Sequence, residues 1–174
     1  MSRNLESSIP FAEAAKGYLV VQADGDVDEC SDAPVHVAIV VDVSGYGPHT
    51  GSMYVDQNRY HGSSDSALES AYEMHEEWMR ENYSDHLKDL EKDRLKEHVD
   101  EYLDKHPKAT REDAVEAVQE DAYQEADEWF RENMDAVIWK MTATEFLDAI
   151  EAWPEKYRKC VEDGVSITTA EECD

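Results

Sequence analysis

Apolar and β-branched residues gather first in two short runs, residues 17–24 (Gly-Tyr-Leu-Val-Val-Gln-Ala-Asp) and 35–43 (Val-His-Val-Ala-Ile-Val-Val-Asp-Val). Branching at Cβ suits an extended, partly buried backbone, and the polar stretch from Asp24 to Asp32 between the runs suits a turn. The pattern therefore predicts two antiparallel strands. Gly45, Gly47 and Pro48 end the second run, and Ser52–Asn58 reads as a third strand. Three short strands with one apolar face need a cover.

From Ser66 the period changes from two to about 3.6. Leu68, Tyr72, His75, Met79, Tyr83, Leu87, Leu90, Leu95, Val99 and Tyr102 recur at helical spacing, and Ser66 with Glu69 has the capping-box pattern. Asn82-Tyr83-Ser84 offers a break into two helices, with one long rod to His106 as the alternative; Pro107 stops either. Thr110 with Asp113 opens the next helix, carried through Ala114, Val118, Ala122, Ala126, Phe130, Met134, Val137 and Ile138. Thr142 with Glu145 opens another, Trp153-Pro154 turns a corner, and a short helix runs toward Gly164.

The expected fold class is α+β: a small N-terminal antiparallel sheet of about three strands, followed by an acidic, mainly helical C-terminal region. The expected division is a β-rich part over 1–64, a helical part over 65–164 in the same or a closely packed domain, and a loose tail over 165–174.

Charge alters the picture. The 42 acidic and 16 basic residues leave a net charge of −26 in a 174-residue chain. Apolar residues still make up 41%, enough for a core and against wholesale disorder. Direct nucleic-acid binding is excluded for want of clustered Lys and Arg, and anionic membranes would repel the chain. No stretch has the length of a membrane span. Cys30, Cys160 and Cys173 lack CxxC spacing, and an odd number without a secretory leader predicts free thiols in the cytoplasm.

The acids are also ordered. Asp65, Glu69, Glu73, Glu77, Glu81, Asp85, Asp89, Asp93, Glu97 and Glu101 stand four apart, and Glu112, Glu116, Glu120, Glu128 and Glu132 form a second row broken by Gln124. Each four-residue step advances about 6 Å and turns about 40° beyond a full helical turn. Like charges at this spacing repel by a few tenths of a kcal/mol per pair. Lys88, Lys92 and Lys96 follow Asp85, Asp89 and Asp93 by three residues and offset that stretch, whereas Arg80, Arg111 and Arg131 are few against the rest. The candidate partner-binding residues are therefore Asp65, Glu69, Glu73, Glu76, Glu77, Glu81, Glu112, Glu116, Glu120, Glu128 and Glu132, with Trp78 and Trp129 as aromatic anchors.

Catalytic and metal signatures are lacking. GxSxG, GxxxxGK[ST] and HExxH do not occur, and Cys30 beside Asp28 and Glu29 is poorly placed as a thiolate. Counted as an EF-hand from Asp24, the positions that need Gly and Glu hold Glu29 and Val35. His49 and His61 flank one loop and are better read as surface residues than as ligands. Asp42-Val43-Ser44-Gly45-Tyr46 departs from the Asp-x-Ser-x-Ser motif of von Willebrand A domains at Tyr46.

The expectation is a cofactor-free, non-enzymatic inhibitor that blocks a basic nucleic-acid-binding protein. In charge and size it is similar to the DNA-mimic inhibitors that phages and plasmids carry against restriction or CRISPR systems. The alternatives are a halophile-adapted accessory protein whose acids face only water, and an enzyme using an acidic cleft. A homodimer is expected if the helical apolar stripes are wider than one sheet can cover.

Overall fold

The computed structural model describes residues 4–5, 9–42, 50–57, 64–82 and 84–173. Along the chain lie β1 (Asn4–Leu5), α1 (Ala14–Gly17), β2 (Leu19–Asp28), β3 (Val35–Asp42), β4 (Thr50–Asp56), α2 (Ser64–Asn82), α3 (Ser84–Lys105), α4 (Arg111–Glu132), β5 (Met134–Met141), α5 (Ala143–Glu151), α6 (Glu155–Gly164) and β6 (Val165–Thr168). Short 3-10 turns lie at Phe11–Glu13, between β1 and α1, and at Ala170–Glu172, after β6.

The sheet corrects the expected architecture. It is one mixed sheet in the order β1-β5-β3-β4-β2-β6, with β1 only two residues long, and it takes strands from both ends of the chain. β3 pairs antiparallel with β4 and β5, while β1/β5, β2/β4 and β2/β6 are parallel. Five strands thus run one way and β3 runs against them. The two N-terminal runs, expected to be a hairpin pair, are separated by β4. There is no independent N-terminal three-stranded antiparallel sheet followed by a helical region.

The reason lies in β3. Every residue from Val35 to Val41 is buried, so the strand has no solvent face and its sequence does not alternate. Such a run belongs in the middle of a sheet covered on both sides. Val35, Val37, Ile39 and Val41 face a core closed by Phe11 of the N-terminal segment, Phe146 and Ile150 of α5, Trp153 of the following turn and Val161 of α6. Ala38 and Val40 face the other core with Ala67, Ala71, Tyr72 and Met79 of α2 and Met134 and Ala136 of β5. Phe11 packs 5.2–5.6 Å from the rings of Trp139, Phe146 and Trp153, and both tryptophans donate to backbone carbonyls, Trp139 to Ile9 and Trp153 to Phe11.

Two further boundaries moved. The helix expected to run on through Ile138 ends at Glu132, and Met134–Met141 is strand β5. Val165–Thr168, placed in a loose tail, is edge strand β6 in register with Gly25–Asp28. Asp24, Asp26 and Asp28 consequently lie on a strand and not in a turn. Close approach fixes two glycines here. Gly25 has φ +131°, and a Cβ there would sit 2.0 Å from the Val55 carbonyl oxygen; a Cβ on Gly164 would sit 1.7 Å from that of Ala23.

The expected break after Asn82 separates α2 from α3, with residue 83 outside the described residues. α3 and α4, each 22 residues and about 33 Å long, pack mainly on one another as a helical hairpin resting on α2 and β5.

Candidate functional site

The carboxylate rows lie on α2 and α4, and the helix geometry decides where each acid faces. Ala67, Ala71, His75 and Met79 point α2 into the sheet. Four steps of about 40° carry the row from Asp65 to Glu81 through about 160° around the opposite side. One row therefore reaches two flanks of α2, with exposed Glu73 between them.

On the first flank, Asp65, Leu68, Glu69 and Tyr72 of α2 meet Glu128, Arg131 and Glu132 of α4 around an open cleft of about 540 Å³. Arg131 spans it, donating from Nε to Glu76 and from Nη1 to Glu69 at 3.3 Å. These contacts hold its guanidinium pKa above the ordinary value, with the Glu76 hydrogen bond the largest cause. Arg80 makes the reciprocal bridge from α2 to Asp127 of α4. Farther along, His98 Nε2 meets Glu125 at 2.9 Å and ties α3 to α4.

On the second flank Glu77 and Glu81 border a hollow with Gln22, Asp24, Met74 and Trp78. Beneath it, Gln22 Nε2 donates to the Met74 carbonyl at 2.9 Å and lies 3.3 Å from Ser52 Oγ. Ser52 Oγ is 2.8 Å from His75 Nδ1, and both residues are fully buried. This serine–histidine contact has the elements of a nucleophile and base, but no solvent path reaches it, and it pins α2 to β4. Burial is the first cause of a raised Tyr54 phenol pKa, with Asp24, Asp56 and Asp26 adding to it and a Ser70 hydrogen bond opposing.

The third acid patch is the α4 row. Glu112, Glu116 and Glu120 are exposed on the half of α4 farthest from the sheet, beginning beside the turn around Pro107. Among the described residues, no Lys, Arg or His nitrogen comes within 4.0 Å of Glu73, Glu77, Glu81, Glu112, Glu116, Glu120, Glu128 or Glu132.

The candidate residues thus divide. Glu69 and Glu76 are held by Arg131, and Glu76 keeps only 17% of its side-chain exposure. Trp78 and Trp129 are partly buried against the α2–sheet core, and Trp78 stacks on His75 at 5.6 Å. Their rings serve the core, and among the described residues Tyr123 is the large aromatic left exposed. Lys92 and Lys96 make no ion pair with Asp89 and Asp93 among the described residues; on α3 the pairs are Arg94–Glu97 and Lys105–Glu101. What spacing within one helix could not show is that the C-terminal turns of α4 come within salt-bridge reach of α2, which turns Arg80 and Arg131 into cross-helix clamps.

The cysteines need correction as well. Cys30 and Cys173 form a disulfide with Cα atoms 6.0 Å apart, and Cys160 alone is free. They stand 143 positions apart, and only the parallel pairing of β2 with β6 brings them together. Asp28 lies beside them, and these three form the one grouping with metal-ligand proximity among the described residues, two of whose members are spent in the disulfide. His49, His61 and Val43–Tyr46 lie outside the described residues. Among the described residues no helix is long and apolar enough to cross a membrane. Set against family models, curated proteins and solved structures, the chain matches none of them.

Proposed function

We propose that this protein is a non-catalytic acidic binder that presents the outward carboxylates of α4, with those of α2 beside them, to the cationic nucleic-acid-binding groove of another protein. The observation that carries the reading is the state of Glu112, Glu116 and Glu120. They are exposed, lie on the distal half of a helical hairpin, and have no cation within ion-pair distance among the described residues. The hairpin fixes them at about 6 Å steps, so a partner meets a preset row of charge and not a flexible acidic tail. Charge of this density steers a basic partner during encounter and makes affinity fall as salt screens it. The Arg131-clamped cleft adds Glu128 and Glu132 nearer the body. A restriction or CRISPR effector has the required groove, and a cytoplasmic setting fits that partner.

The test replaces Glu112, Glu116 and Glu120 with Lys. Basic proteins captured by the wild-type chain from a nuclease-treated bacterial lysate are identified, and a duplex DNA oligonucleotide is used to compete them off. The expected results are competition by DNA, a loss of affinity of about tenfold or more in the triple variant with helicity retained, and weakening between about 0.05 and 0.2 M salt. Capture that survives charge reversal, added salt and DNA ends the reading.

A further inference from the structure

The Cys30–Cys173 bond ties down an edge of the sheet that is otherwise lightly held. β6 is four residues long and pairs with β2 alone through Gly25–Asp28 opposite Val165–Thr168. Of its side chains Val165 is buried and Ile167 packs partly on the core, while Ser166 and Thr168 are exposed. Beyond the strand, the contacts continue toward the cysteines. Glu29 N–H donates to the Thr168 carbonyl at 2.9 Å, and Ala170 N–H donates to Glu29 Oε2 at 2.8 Å. Asp28 Oδ1 accepts from Cys30 N–H at 2.9 Å and shapes the turn. On the other side, Thr169 and Glu172 form a capping box that fixes the 3-10 turn leading to Cys173. Two turns, tied to each other through Glu29, thus present their sulfurs to each other, and both cysteines are exposed to solvent reagents.

We propose that Cys30 and Cys173 form a redox-controlled clasp that decides whether the C-terminal edge strand β6 stays docked on β2. Closing the clasp is thiol–disulfide exchange with a small-molecule disulfide such as oxidised glutathione. One cysteine thiolate attacks the external disulfide, forms a mixed disulfide and expels one thiol. The second cysteine's sulfur then attacks the protein-side sulfur, forms the Sγ–Sγ bond and expels the second thiol. The cysteine pair loses two electrons, the external disulfide gains them, and the two cysteine protons end on the two released thiols. Reduction reverses each step. With the bond open, β6 is held by four residues of parallel pairing, the buried Val165, the partly packed Ile167 and the two Glu29 contacts, so it opens locally more often than the strands inside the sheet. The bond closes nearly the whole chain into a loop, which restricts the open ensemble.

The experiment uses the full chain. It is equilibrated with oxidised glutathione or with dithiothreitol, exposed thiols are alkylated after denaturation, and mass gives the number labelled. Backbone amide exchange of residues 165–168 is followed in the same two states. The expected results are one labelled cysteine, Cys160, in the oxidised chain and three in the reduced chain. Exchange across 165–168 should be about tenfold or more faster when reduced. The Cys30→Ser and Cys173→Ser variants should exchange at the reduced rate under both conditions, and Cys160→Ser should follow the wild type. Three labelled thiols after oxidation, or equal exchange in the two states of the wild type, overturns the proposal. So does one equivalent of zinc that protects both thiols of the reduced chain and slows exchange to the oxidised rate, because the pair would then be a thiolate metal site.

Discussion

His36 shows how one side chain can make the fold sensitive to pH. It is the second residue of β3, opposite Lys140 of β5 and Asp56 of β4, with Nδ1 3.0 Å from Ser64 Oγ at the start of α2. Burial lowers its pKa from the ordinary 6.5, Lys140 lowers it further and Asp56 opposes. A depressed histidine pKa means that the unfolded chain takes up the proton first as pH falls. Its contribution to stability is therefore complete above about pH 6.5, declines as pH drops below that value, and levels off below the folded pKa. Urea midpoints measured between pH 7.5 and 5.5 should fall for the wild type, and His36→Gln should flatten that fall. A wild-type midpoint independent of pH in that window, or an unchanged slope in the variant, refutes this account. At this scale much was legible in the sequence. The capping boxes at Thr110/Asp113 and Thr142/Glu145 form as their spacing required, because a cap depends on residues three apart. His75 fell on the apolar stripe of α2 and is buried there. Nothing local in the sequence could pair His75 with Ser52, since strand register is a long-range property.

Elements were legible where their residues interact with near neighbours and obscure where pairing reaches across the chain. The helices α3 to α6 follow from period, caps and Pro107, whereas α2 begins at Ser64, two residues before its expected cap at Ser66, and β5 reads as a continuation of the preceding helix. Met134, Ala136 and Ile138 face one core while Val137, Trp139 and Met141 face the other, so both alternating sets are apolar and helical and strand periods are hard to separate. β6 is too short and too polar to announce itself without β2. The same limit hid the α2–α4 contact and, with it, the role of Arg131. That arginine links Glu69 and Glu76 across the helix pair while lying in the last turn of α4, where a cation also favours the helix dipole. Arg131→Gln should lower stability by about 1 kcal/mol, the upper end for a partly exposed bridge. Part of the loss should come from Glu76, whose carboxylate would keep its half-buried place without a cation. Adding Glu76→Gln should then cost less than in the wild-type background, giving a coupling of about 0.5–1 kcal/mol in a double-mutant cycle by chemical denaturation. Strict additivity would show that the bridge does not hold the helices together.

Across the whole molecule the acids extend well beyond the α2 and α4 rows. Glu145, Asp148, Glu151, Glu155, Glu162 and Asp163 are exposed on α5 and α6, on the opposite face of the sheet from α2. This spread favours a second reading, in which acidity keeps the chain hydrated in concentrated salt and no partner is needed. The two readings make different demands on folding at low ionic strength. A binder must hold its rows in place before it meets a partner, so its two cores have to outweigh self-repulsion from a net charge of −26. Salt then helps by screening alone. The Debye length falls from about 10 Å at 0.1 M to about 3 Å at 1 M, so most of the gain should be complete before molar salt. The expected melting curve is folded at 0.05 M sodium chloride, rises by several degrees up to a few tenths molar, and flattens. Replacing Glu73, Glu77, Glu116 and Glu120 with Gln should raise the low-salt melting temperature and reduce the salt gain, because both effects come from removing like charges at i,i+4. A halophilic chain would instead be unfolded near 0.15 M and continue gaining stability through several molar, with the same Gln substitutions lowering its high-salt melting temperature. Circular dichroism melts of the two proteins across that range separate the readings, since in one the carboxylates are a standing cost to the fold and in the other they sustain it.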